Sequence, residues 1–372
     1  MQRGYEICYD SYNKSCTDAD AEYVLKPERG ELLNIKEVAK AAGVSVATIS
    51  RVLNHPEQVQ PETKNHVLEI MQQLNYQPNW FARGLNIGKT GTIALLIPSI
   101  EDHGFLDVVA GVETIARRKE HTVLLCNTHG DAQEELNCLK MVLTRQVDGI
   151  ILVASRLDSD TIQSLLKEDY PWVHVGSRAP ANCRNVCYID YKKGARRMTK
   201  HLLKLGHQNI TLLLDRAPFS ESDAIAAGYQ EALQEHGLSC DQTILQAESS
   251  VQGGYLIAQK LLQSGAMPPV LITASDDQAF GVTKAAMDKQ IEIPGALALA
   301  CLKDSPVTSI LNPPLTALEL PSHRLGLMAA RMLFDCIESS DTEHAPQEVI
   351  LEPTVKVRHS CGNTNPVYEM FG

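Results

Sequence analysis

"NIKEVAKAAGVSVATISRVLN", residues 34–54, carries two helical patterns with a glycine between them. Asn34 can cap a helix whose apolar residues are Ile35, Val38, Ala39 and Ala42. That i, i+3, i+4, i+7 spacing puts all four on one face. Gly43 stops the helix, and Ser45 caps the next, with Val44, Ile49, Val52 and Leu53 available to pack. Two helices joined by a short turn through glycine make a helix-turn-helix. A third helix is expected from Pro61, a good first helical residue, to about Leu74, with Val67, Leu68, Met71 and Leu74 as its apolar face. Three short helices bury only a small core, so they are the head of something larger.

The charge distribution agrees with a small head on a larger body. The chain has 372 residues and a net charge of −11, too acidic to bind nucleic acid over its whole surface. Residues 34–91 differ. They hold six Lys/Arg (Lys36, Lys40, Arg51, Lys64, Arg83, Lys89) against four Glu (Glu37, Glu57, Glu62, Glu69), a net of +2. Residues 1–33 are polar and irregular and are expected to be disordered, with translation expected to start near Leu32 or Leu33. The N-terminus has no apolar run of secretory type, and no apolar stretch reaches about 18 residues, so a cytoplasmic protein is expected.

From residue 92 the texture changes. "TIALLIP", "TVLLCN", "DGIILVAS", "WVHVGS", "ITLLLD", "VLITAS" and "ALALACL" are short, nearly continuous apolar runs. Helix-length segments such as 106–120, 131–145, 192–205, 222–236 and 252–264 lie between most of them. Strands apolar on both faces, alternating with helices, mean parallel sheets covered on both sides. The fold class is therefore α/β: a three-helix head over 34–78, a linker over 79–91, and two doubly wound halves over 92–361, followed by a tail over 362–372. A ligand cleft is expected at the carboxyl ends of the strands.

The catalytic motifs are missing. "GLNIGKTG" (84–91) resembles a phosphate-binding loop, but Gly84 to Gly88 is one residue short and a strand follows it. No GxGxxG follows a strand, and there is no GxSxG or HExxH, so neither an enzyme nor a bound cofactor is expected. The ten cysteines read as reduced thiols in this setting. Cys183 and Cys187 have a spacing that could suit a metal, but no second Cys/His pair lies nearby. "YKKGARRMTK" (191–200) reads as a solvated charged face before it reads as a nucleic-acid patch.

The helix-turn-helix carries the functional signal. Its second helix would lie in the major groove with its N-terminal residues at base edges. Val46, Ala47, Ser50 and Arg51 are the solvent-facing candidates. Arg51 suits bidentate contact with guanine O6/N7, and Val46 and Ala47 suit apolar contact such as a thymine methyl. Thr48 and Ser50 suit phosphates.

With "IKEVAKAAGVSVATISRVLN" followed by "VQPETKNHVLEIMQQLNYQPNWFARGL", the head resembles that of the lactose/galactose repressor (LacI/GalR) family. "VDGIILVAS", "LGHQNI", "AAGYQEAL", "TASDDQAFG" and "NPPLTALELP" match the family's landmarks in order, so the resemblance runs from about residue 34 to about residue 361. It implies a cytoplasmic homodimer whose two heads read the half-sites of a pseudo-palindromic operator, and a two-lobed body like that of extracytoplasmic solute-binding proteins. The base-reading positions carried over are Val46, Ala47 and Arg51, a set similar to that of members reading a central CG. The linker would be a hinge helix ordered only on operator DNA. Leu85 matches the leucine wedged into the minor groove, with Asn79 and Arg83 beside it near the backbone. No leucine-heptad tail follows "EPTVKVRHS", so a dimer is expected rather than a tetramer.

The cleft departs from the family's sugar-binding pattern. An Arg is common where this chain has Ile225. The Asp of the "NDxxAxG" motif is present as Asp276, while "GFDD" has become "CLKD", which puts Lys303 where the first Asp stands. Ser177 replaces a common Asp, although Arg178 matches, and Phe105 fits an aromatic that stacks on a ring. Two expectations follow. One is a carbohydrate-related effector with an anionic group near Lys303, such as a sugar phosphate or sugar acid. The other is a degenerate cleft, with control by a protein co-repressor, as in the family's catabolite-control members, or by none.

Overall fold

The apolar stripes of the first helices meet around one small core. In the computed structural model, which describes residues 35–54, 58–74, 76, 90–166, 169–176, 183–216, 220–239, 244–339 and 346–364, the chain divides into two units, residues 1–83 and 84–372. In the first unit α1 (Ile35–Ala41), α2 (Val46–Asn54) and α3 (Pro61–Gln73) pack together through Val38, Ala39, Ala42, Ile49, Val52, Val67 and Met71. Gly43 makes the turn between α1 and α2 with φ +65, a backbone conformation that side chains with a Cβ disfavour. One expected core residue differs. Leu68 is 43% exposed, and Ile70 packs against the core in its place.

The second unit has two lobes. The first is built on β1 (Thr92–Ile97), β2 (Thr122–Asn127), β3 (Gly149–Val153), β4 (Trp172–Val175), β5 (Asn185–Ile189) and β11 (Gln347–Leu351). These strands form a sheet of order β2-β1-β3-β4-β5-β11, parallel throughout. The second lobe uses β6 (Ile210–Asp215), β7 (Ile244–Ala247), β8 (Val270–Thr273), β9 (Ala298–Cys301), β10 (Thr316–Glu319) and β12 (Thr354–Lys356). Its order is β7-β6-β8-β9-β10-β12, with β12 antiparallel to β10. In both sheets the order reverses beside the first strand, β1 or β6, which opens a crevice at the carboxyl ends.

Helices cover both faces. α4 (His103–Arg118), α5 (Ala132–Thr144) and α6 (Ser159–Leu165) belong to the first lobe. α7 (Tyr191–Lys204), α8 (Ser220–Glu235), α9 (Val251–Gln263), α10 (Asp276–Asp288) and α11 (Pro306–Ile310) belong to the second. α12 (Ser322–Glu338) follows the second lobe's β10 yet packs on α4 and beneath β3, β4 and β5 of the first. Each lobe therefore takes its last strand from the C-terminal segment. Residues 1–33, part of the linker and most of the tail, about which the sequence gave rise to expectations, lie outside the described residues. Among the described residues no helix is long and apolar enough to cross a membrane.

The α4–α12 crossing depends on two glycines. A Cβ at Gly326 would stand 2.1 Å from the Val108 carbonyl oxygen, and one at Gly111 would stand 2.2 Å from that of His323. Both obstacles are backbone, so neither can swing aside. Gly326→Ala is expected to destabilise the second unit by about 1–3 kcal/mol through overpacking. Urea unfolding followed by far-UV dichroism checks this, and an unchanged midpoint would show that the helices can separate without cost.

Candidate functional site

In the head, α2 separates two duties by its period. Ile49 and Val52 point into the core. On a helical wheel Val46, Ala47, Ser50 and Arg51 fall within about 140° on the opposite side. Val46 is 40% exposed, Ala47 and Arg51 are exposed, and Thr48 and Ser50 are half-buried. Ser45 caps the helix: its Oγ accepts from Thr48 N at 3.1 Å and lies 2.9 Å from Thr48 Oγ1. Thr48 is thus part of the cap. α2 presents one long cation, two small apolar side chains and a helix N-terminus, which attracts phosphate. Asn79, Arg83 and Leu85 lie outside the described residues.

The body takes hold of the chain directly after the linker. Asp148, ahead of β3, accepts from Thr90 N at 2.6 Å, Gly91 N at 2.7 Å and Thr90 Oγ1 at 3.1 Å. His121 Nε2 approaches the same carboxylate at 3.3 Å, and its ring meets Phe334 edge-on. One buried carboxylate therefore fixes where the linker enters the first lobe.

A cavity of about 600 Å³ lies between the lobes, at the carboxyl ends of both sheets. That volume suits a small ligand. Pro98 and Ser99 follow β1, Ala154 follows β3, Asp215 ends β6, and Ala274 and Ser275 follow β8. Of the residues expected to bind an effector, Phe105, Ile225, Asp276 and Lys303 all line this cavity. Phe105 comes from α4, Ile225 from α8, Asp276 from the first turn of α10, and Lys303 from the loop after β9. Arg178 and Ser177 lie outside the described residues.

The charge around Lys303 differs from the expectation. Lys303 Nζ crosses the cleft and donates to Asp102 Oδ1 at 2.5 Å, while Asp276 Oδ1 stands 4.0 Å away. The same Asp102 oxygen caps α4 by accepting from Gly104 N at 2.7 Å. An anion seated at Lys303 would meet an ammonium that is already paired. It would also meet Glu101 and Asp102 on the first lobe, and Asp215, Glu221, Glu248, Asp276 and Asp277 on the second. The geometry thus argues against the anionic effector expected from the Lys303 position.

The negative field shows in neighbouring groups. Burial, then Asp276, push the Asp277 carboxyl up, with Asp102 acting in the same direction and Lys303 against it. Burial, then Glu221 and Asp102, push the Tyr191 phenol well above its ordinary range. Sequence reasoning missed Asp102, Tyr191, Asp277 and Glu221. Position at a strand or helix end could have flagged them, since Asp102 caps α4, Tyr191 opens α7, Asp277 sits in the first turn of α10 and Glu221 in that of α8.

The Lys303 loop is held from below. Arg358 grips Asp304 with two parallel bonds, Nη1 to Oδ1 at 2.8 Å and Nη2 to Oδ2 at 2.9 Å, and Nη1 also donates to the Leu315 carbonyl at 2.7 Å. The charged run on α7 is spent on acids of its own lobe and of the crossing segment. Lys192 pairs with Glu231, Lys193 and Arg197 with Glu352, and Arg196 and Lys200 with Glu235. Burial pushes the Cys183 thiol up to about 11 and the Cys187 thiol up to about 12. Among the described residues no group of three or more His, Cys, Asp or Glu is placed to hold a metal.

Comparison with known proteins places these features together. The family described as "Bacterial regulatory proteins, lacI family" matches residues 34–79, and the "Periplasmic binding protein-like domain" matches residues 199–361. The chain is 30% identical over 330 residues to catabolite control protein A of Priestia megaterium, covering 88% of this chain and 97% of that protein. The lac repressor dimer bound to operator and an anti-inducer superposes with a TM-score of 0.79 at 21% identity, over 88% of this chain and 99% of that one. The transcriptional regulator CelR–cellobiose complex superposes with a TM-score of 0.65 at 25% identity, over the same shares of the two chains.

The Arg358–Asp304 pair is mostly buried, so removing one partner strands the other charge. Arg358→Met is expected to cost about 3 kcal/mol or more. Thermal unfolding checks this, and a loss below about 1 kcal/mol would mean that the loop is held by other contacts.

Proposed function

The chain belongs to the LacI family of bacterial regulatory proteins and is a DNA-binding transcriptional regulator, not an enzyme; from that premise we propose that it binds a pseudo-palindromic operator as a homodimer and is controlled by a small ligand in the inter-lobe cleft. The observation that carries the first half is α2, capped by Ser45, with Arg51 exposed and Val46 and Ala47 beside it. Arg51 reads guanine through O6 and N7, and Val46 and Ala47 pack on a thymine methyl. Ser50, and Thr48 together with its cap partner, take phosphates. Leu85 wedges into the minor groove at the operator centre, with Asn79 and Arg83 near the backbone.

The 600 Å³ cavity carries the second half. The CelR complex with cellobiose supports a carbohydrate-related ligand. A sugar phosphate or sugar acid is the weaker form of this reading, because Asp102 already neutralises Lys303. A ligand that changes the angle between the lobes changes the spacing of the two linkers in the dimer, and so operator affinity. The Lys303–Asp102 bond also favours a second reading. It joins the lobes through the chain's own side chains, as a cleft would if control came from a protein co-repressor or were absent.

Selection of bound sequences from a random DNA pool by the full-length protein tests the operator reading. A palindrome with a central CG is expected, and Arg51→Ala should cost about 1–3 kcal/mol and relax preference at one base of each half-site. Equal loss on every sequence would reduce Arg51 to a phosphate contact.

A further inference from the structure

The cavity is lined mainly by one sign of charge. The one ammonium group facing it among the described residues, that of Lys303, lies between Asp102 of the first lobe and Asp276 of the second. Lys303 is hydrogen-bonded to the first and only near the second. Asp276 is 8% exposed, and its recorded charged neighbour stands 4.0 Å away, beyond hydrogen-bond reach. No described residue donates a hydrogen bond to that carboxylate, which faces the cavity. A little-exposed carboxylate that faces a cavity offers its oxygens to a ligand's positive group.

The surroundings strengthen this reading. Asp277 is the next residue, and its carboxyl is pushed up by burial and by Asp276. Glu221 and Asp102 both act on the Tyr191 hydroxyl across the same space. Seven carboxylates in all line the cavity. They do not converge on a metal, since no group of three or more among the described residues could hold one. A neutral polyol offers these groups only neutral hydrogen bonds, and an anion is repelled. A ligand ammonium offers charge-assisted hydrogen bonds, which are shorter and roughly twice as strong.

We propose that the cleft selects a small polyhydroxylated amine, an amino sugar in chemical class, whose ammonium seats on Asp276 and Asp277 beside the Lys303–Asp102 pair. This rests on reading the cleft as the effector site. Phe105 and Ile225 supply the apolar wall against which a sugar ring packs. Lys303 then sets specificity. It takes Asp102 out of play and leaves the carboxylates of α10 for the ligand.

The test is calorimetric titration of the full-length protein. The probes are glucosamine, galactosamine and mannosamine, each against its parent sugar, its N-acetyl form and the parent's 6-phosphate. At least one free amine should bind about tenfold tighter than its neutral counterparts, the factor expected of a hydrogen bond to a charged group. Asp276→Asn should remove that preference. Asp277→Asn, with thermal unfolding of both variants as the control for folding, should reduce it. Equal binding of amine and neutral forms, or tighter binding of a phosphate, would overturn the amine proposal and leave the cleft as an effector site. No binding of any probe would overturn the proposal and favour the ligand-free reading, while the operator selection would still stand or fall on its own.

Discussion

The chain passes between its two sheets three times, and the rest of the body depends on that. It leaves the first lobe between Ile189 and Tyr191, returns between Glu319 and Ser322, and leaves again between Leu351 and Thr354. Neither lobe is complete without residues from late in the sequence. The first needs α12 beneath its sheet and β11 at its edge, and the second needs β12. Three short crossings join the lobes, and the carboxyl ends of strands from both line one cavity. Tyr188, Ile189, Tyr191 and Leu320 line that cavity from the crossings themselves, so its shape and the hinge angle are a single variable.

Two polar contacts connect that variable to function. Across the cleft, Lys303 reaches from the second lobe to the cap of α4, and Asp304 beside it is anchored by Arg358 near the end of the chain. At the other end of the first lobe, Asp148 holds Thr90 and Gly91 where the linker enters. Three hydrogen bonds to one carboxylate thus fix Thr90 and Gly91 to the first lobe. A cleft ligand has no other covalent route to the head, because the linker is the only chain connection between the two units. Under the proposed function, a change of hinge angle is the route by which a 600 Å³ site would govern the DNA-reading helix.

Much of this was legible in the sequence, and the reasons are physical. The head was legible because its short helices must bury a single stripe each, and Val38, Ile49 and Val67 fell at helical spacing. The central strands were legible because both faces are covered, so "TIALLI" and "GIILV" read as unbroken apolar runs. The two C-terminal edge strands were not. β11 is exposed at most positions, and β12 is only three residues long, so neither carries a pattern. Leu68 was misplaced because the stripe of Val67, Met71 and Leu74 is completed by Ile70, three residues after Val67, and not by its sequence neighbour. In the cleft, Phe105, Ile225, Asp276 and Lys303 were brought together from four separate segments, as the resemblance implied. The partner of Lys303 was not legible, since Asp102 lies 201 residues away and only the fold shows that the two meet. That contact shows that the lysine is already paired, which the sequence alone does not.

The most direct measurement is the operator affinity of the full-length protein compared with that of Lys303→Met, by fluorescence anisotropy on a selected operator. Head and linker are identical in the two proteins, and thermal unfolding of both serves as the control for folding. If the state of the cleft governs the head, untying the lobes shifts the dissociation constant by about fivefold or more, the range of ordinary allosteric coupling. Equal dissociation constants for two equally folded proteins would contradict the account, because the head would then act without regard to the cleft.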